Sequence, residues 1–189
     1  LLLQQARDDE ALGRAEAVVA AASFEGIGAA EVVFEAQARP LDAQLEYAIG
    51  QTRRSVDKFW QQAIREGRSL SAAGIEFVLR EGGNPDLLSL PRTEPVCRAI
   101  LARSGIAPDE RGAALAQLAD LTGEGMGSLL LEQIELQARS RSAVHLELIP
   151  LLRTLPSSEL AEIEPLLARI ARSDGHGVLR SSAIAALID

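Results

Sequence analysis

Few side chains in this sequence could do chemistry, and their surroundings decide what each can be. His145 and His176 are the two histidines, and a haem-ligand or metal role for either needs convergent partners. His176 lies in Asp174-Gly175-His176-Gly177, which reads as a turn before the last helix. Cys97 is the one cysteine, so neither an intrachain disulfide nor a cysteine metal cluster can be built. Beside Val96 it reads as a small buried hydrophobe. Ser55, Ser71 and Ser128 lack the G-x-S-x-G context of an activated serine. The run Gly123-Glu124-Gly125-Met126-Gly127 has no strand before it and no Lys after it, so it reads as a helix–helix turn rather than a phosphate cradle. Tyr47 and Trp60 are the bulky residues in a chain of small ones. They read as core fillers, with a partner-binding hot spot on a concave face as the sharper reading. Glu31, Glu35, Glu46, Glu132, Glu135 and Glu147 fall mostly opposite apolar stripes, the position of a solvated face. We therefore expect no catalytic residue, no cofactor-binding residue and no metal ligand, and no enzyme activity in this segment.

The elements that would position these residues are helices. Apolar residues make up 47% of the chain, mostly Ala and Leu, and aromatics only 3%. Ala and Leu lose little freedom in a helix, whereas strands favour β-branched and aromatic residues, so the fold class is all-α. The formal net charge of −8 repels phosphates, and Arg139, Arg141 and Arg153 make too thin a basic stripe for nucleic acid. No apolar run reaches a membrane span, so direct membrane insertion is not expected. Leu1-Leu2-Leu3, without a preceding Met, reads as the start of an excised fragment.

Four helices open on one pattern, a polar anchor followed by apolar residues three, four and seven places later. They are Arg14 with Ala17, Val18 and Ala21; Arg111 with Ala114, Leu115 and Leu118; His145 with Leu148, Ile149 and Leu152; and Arg180 with Ala183, Ile184 and Leu187. These offsets share one helix face. The anchors are spaced 97, 34 and 35 residues apart, and a period in the thirties fits a helix–turn–helix unit that stacks on itself. His145 thus reads as a polar anchor. Breaks are expected at Gly26 to Gly28 before Ala30, Val33, Phe34 and Gln37, and at Gly123 to Gly127 before Leu130, Ile134 and Leu136. Pro40, Leu41 and Asp42 open a helix carrying Leu45, Ile49, Thr52 and Val56, with Phe59, Trp60, Ala63 and Ile64 following. A helix around Ile75, Val78 and Leu79 ends at Gly82-Gly83-Asn84-Pro85, read as a loop, and the repeats are irregular near 68–95. Ser157 or Ser158 should cap a later helix that Pro165 kinks or restarts.

From Arg14 to Gly67 the wording is more specific. Ala17 to Ser23, Ala29 to Ala36, Pro40 to Ile49, Thr52 and Trp60 match an "AVxAAS" helix, an "AAEVALEA" helix, "PLDxxLxYAL", a Thr one turn on and a Trp soon after. This resembles the HEAT-repeat region of large planctomycete-type multidomain proteins, and the likeness extends through Asn84-Pro85 to the Asp109 to Gly123 helix. The resemblance implies a single armadillo-like α-solenoid over 1–189, HEAT-like, of about five helical-hairpin units. It implies a cell-envelope or periplasmic setting, in a parent that joins a sugar-dehydrogenase-like propeller to a c-type cytochrome domain. Haem c would then lie elsewhere in the parent, a membrane-associated sugar-dehydrogenase-like oxidoreductase, because this segment has no CxxCH. The expected function is a structural scaffold that positions those neighbouring domains. The alternative is a free-standing module that docks a protein or peptide on its concave face.

Overall fold

Helix caps and breakers divide the Ala/Leu-rich chain into short helices. The structure, a computed structural model, describes residues 1–172, and every regular element among them is helical. In order these are α1 (Leu2–Gln5), α2 (Ala11–Ala21), α3 (Ile27–Gln37), α4 (Ala43–Arg65), α5 (Ala72–Glu81), α6 (Asn84–Leu88), α7 (Glu94–Ala102), α8 (Pro108–Thr122), α9 (Met126–Arg139), α10 (Val144–Leu148), a 3-10 turn (Ile149–Thr154) and α11 (Ser157–Arg172). The expected turn at His176 and the helix anchored at Arg180 lie outside the described residues.

The chain forms two compact units, one over Leu1–Pro91 and one from Arg92 onward. In the first, α2 packs against α3 and α4, and α3 packs against α4 and α5. Its centre is aromatic. Phe34 of α3, Trp60 of α4 and Phe77 of α5 are all buried, with ring centroids 4.7 Å apart for Phe34–Phe77 and 5.7 Å for Trp60–Phe77. Tilted and edge-on contacts of this kind add to the burial itself. Gly74 permits the approach of α5 to α3, because a Cβ there would lie 2.9 Å from the Phe34 ring. In the second unit α7 packs on α8, α8 on α9, and α9 on α10 and α11. Its centre is aliphatic, built on Ile100, Leu101, Leu118, Leu129, Leu130 and Leu148.

Several local expectations need correcting. Gly82-Gly83-Asn84-Pro85 is only half a loop. Asn84 and Pro85 start α6, where proline in a first turn lacks an N–H that would be idle anyway, and Asp86 accepts from the Gly83 N–H at 3.1 Å. The helix anchored at His145 lasts five residues and then tightens to 3-10 geometry from Ile149, which is half-buried. Helix α11 begins at Ser157 and runs through Pro165 to Arg172, so Pro165 does not mark a restart. Leu136 is 53% exposed rather than part of the α9 stripe.

The ends of α4 and α9 are closed by the same motif with different residues. At α4, Gly67 takes φ +72 and the N–H groups of Gly67 and Arg68 bond to the carbonyls of Ile64 and Ala63. At α9, Arg141 takes φ +58, with Arg141 and Ser142 bonding to Ala138 and Gln137. A side chain in the left-handed region is strained, and glycine is not. Arg141→Gly is expected to raise stability by about 0.5–1 kcal/mol in chemical denaturation. Gly67→Ala should move it the opposite way by a similar amount. An Arg141→Gly chain that is less stable than the parent would show that the guanidinium contributes more than the strain costs.

Candidate functional site

The polar anchors are the first site-like feature. Arg14 and Arg111 are 3% and 0% exposed, an environment arginine rarely enters unpaired. Arg14 Nη1 donates to the carbonyls of Asp8 and Asp9 at 2.8 and 2.9 Å, and Nη2 donates to Pro40 at 2.5 Å. Arg111 donates through Nε to Ile106, through Nη1 to Ile100 and Leu101, and through Nη2 to Arg103 and to the Glu147 carboxylate at 2.5 Å. Each guanidinium therefore ties the connection before its own helix to the segment after the following helix. His145 occupies the equivalent position less deeply. Its Nδ1 lies 2.5 Å from the Ser142 carbonyl, so Nδ1 carries the proton.

The glutamates are not a solvated face. Glu31 accepts from both the backbone N–H and the hydroxyl of Ser71, the residue that caps α5. Glu35 accepts a two-pronged contact from Arg7, at 3.0 and 2.7 Å, and that hydrogen bond holds its carboxyl below the usual range. Glu147 accepts from the Gly105 N–H as well as from Arg111. Glu135 pairs with Arg139 one turn on. Only Glu46 and Glu132 are exposed, as expected of all six. Glu159, on α11, accepts from the Gly127 N–H at 3.0 Å and so caps α9. The glycine string is otherwise punctuation: Gly123 ends α8 at φ +73 and Gly125 precedes α9 in extended geometry.

Cys97 is fully buried, and burial pushes its thiol pKa up, with Arg92 pulling weakly the other way. A raised thiol is a poor nucleophile. Ser55 donates to the Thr52 carbonyl, and Ser128 is exposed. Among the described residues no three His, Cys, Asp or Glu side chains gather where an ion could sit, and no helix is long and apolar enough to cross a membrane.

The aromatic pair splits. Trp60 is buried, its Nε1–H donating to Asp57 at 3.0 Å, but Tyr47 is 70% exposed. Core filling is therefore wrong for Tyr47. Leu45, Ile49, Thr52, Val56 and Trp60 follow the inner stripe of α4, and Tyr47, two places after Leu45, falls outside it. Instead it lines a groove of about 670 Å³ between α2 and α4. The floor is made of small residues, Ala15, Ala48 and Thr52, and the walls carry Leu12 and Val19 from α2 opposite Tyr47 from α4. Glu16, Gln44 and Gln51 supply its polar edge. An apolar floor with a sparse polar rim suits a docked apolar surface better than bond-making chemistry. Comparison with protein-family models, with curated proteins and with solved structures finds no match for this chain.

Proposed function

We propose that the chain is a HEAT-like α-solenoid segment acting as a non-catalytic, protein-binding scaffold. The observation that carries this reading is the recurrence of one device, a buried arginine gathering the carbonyls of the preceding connection, at Arg14 and again 97 residues later at Arg111. A repeated internal clamp is what a repeat architecture requires, because every hairpin must fasten to the next by the same local means. Packing between helices close in the chain supports it further, with α2 on α3 and α4 in one unit and α8 on α7 and α9 in the other.

The setting rests on the resemblance over Arg14 to Gly67. On that ground the scaffold holds a dehydrogenase-like propeller and a haem-binding domain of one cell-envelope electron-transfer protein in fixed relation. The second reading, a free-standing docking module, is favoured by the α2–α4 groove. Reading the coding sequence outward on both sides separates the two. A propeller on one side and a CxxCH domain on the other are expected; an open frame with neither would move the function to the docking module.

A further inference from the structure

The helix that forms one wall of the α2–α4 groove has an internal counterpart in α8, in register through Arg14 and Arg111. In both helices the residues three, four and seven places after the arginine are buried. In both, the residues two before and five after it are exposed: Leu12 and Val19 in α2, Asp109 and Ala116 in α8. The architecture therefore demands no large apolar side chain at these places, since α8 serves with Asp and Ala. Helix α2 nevertheless exposes Leu12 at 58% and Val19 at 60%, and α4 sets Tyr47 on the facing wall. Large apolar side chains clustered along one groove signal an interaction surface in a way that single exposed ones do not.

Shape and charge describe the occupant. The α2 wall runs from Leu12 to Ala22, about 15 Å at the helical rise, which is the length of roughly three helical turns. Two helices enclosing a small-residue floor leave room for the apolar stripe of a third. Glu16 is the one charged residue lining the groove, and among the described residues no Lys or Arg pairs with it. A second copy of the chain would carry another net charge of −8, so long-range repulsion disfavours it as the occupant. We propose that the groove receives an amphipathic helix of a partner protein, about three turns long, with apolar residues against Leu12, Val19 and Tyr47 and a Lys or Arg opposite Glu16. This rests on the protein-binding reading above and names the partner's chemistry.

The test pans the full chain against a displayed library of roughly 15-residue peptides, long enough for such a helix. Enriched peptides are expected to share apolar residues at i, i+3 or i+4, and i+7, with Lys or Arg on the flank. Binding of one synthesised representative should weaken about tenfold or more in Tyr47→Ala and in Val19→Ala. Both side chains are exposed, so the melting curves of these variants should match the parent chain. Glu16→Lys should turn the enriched flank from basic to acidic. No enrichment above background, enrichment without a charge preference, or binding indifferent to Tyr47→Ala would each overturn the proposal. So would a dimer in sedimentation that Tyr47→Ala dissolves, because the occupant would then be a second copy. Repeat-like local unfolding is read separately in unit 2, at Leu118, so the groove can fail while the scaffold stands.

Discussion

Arg111→Ala is expected to destabilise the second unit by about 3–5 kcal/mol, because several buried carbonyls lose their donor at once. The guanidinium is fully enclosed, and four backbone carbonyls converge on it, from Ile100, Leu101, Arg103 and Ile106. Truncation leaves those carbonyls without a donor, at about 1–3 kcal/mol for each one that water cannot reach. Glu147 contributes less to the loss, because its side chain is 37% exposed and recovers solvent. Arg111→Lys should not rescue the fold, since an ammonium has three donors around one point and cannot span a fan of carbonyls. Arg14→Ala should cost less, with three carbonyls rather than four and a buried Nε that already lacks a partner. Urea denaturation of the three variants gives the order directly. An Arg111→Lys chain within about 0.5 kcal/mol of the parent would reduce the clamp to a charge placed in a cavity.

How much of this could be read in advance depends on how far apart the interacting residues lie in the chain. The +3, +4, +7 positions after Arg14 and Arg111 are buried as their spacing predicted, because periodicity within one helix needs no knowledge of the rest of the fold. Trp60 and Tyr47 show the limit of reasoning from residue type. Both are large and aromatic, and only their register on α4 separates a core residue from a groove residue. That register was legible, since Tyr47 is out of step with Leu45, Ile49 and Thr52. The glutamates were not legible. Glu31 meets Ser71, 40 residues on, Glu35 meets Arg7, 28 residues back, and Glu147 meets Gly105, 42 residues back. Helical spacing reports which side of its own helix a residue occupies; it says nothing of a serine or arginine brought alongside by another hairpin. The groove was hidden for the same reason, as its walls come from helices that only the fold sets side by side.

In Leu118→Ala the loss of stability is expected to be about 2–5 kcal/mol, the span for truncating a buried leucine. It should also be felt unevenly along the chain. Leu118 is fully buried on α8, which packs against α7 and α9. If stability is a sum of hairpins and their neighbour contacts, the deletion lowers the opening free energy of the helices around it and leaves distant ones untouched. Amide hydrogen exchange should then quicken in α7, α8 and α9, while Arg14 to Trp60 keep their protection. Trp60→Ala supplies the mirror experiment. Its ring is buried against Phe34 and Phe77, so α3, α4 and α5 should lose protection and α8 and α9 should hold theirs. A unit closed around one core behaves differently, since each of its helices then opens through the same global transition. Exchange would then quicken as much in α11 of the second unit, or in α2 of the first, as in the helices beside the substitution. Uniform quickening across the whole of the substituted unit in both variants would rule out the repeat array, and the clamps at Arg14 and Arg111 would then be features of two closed cores.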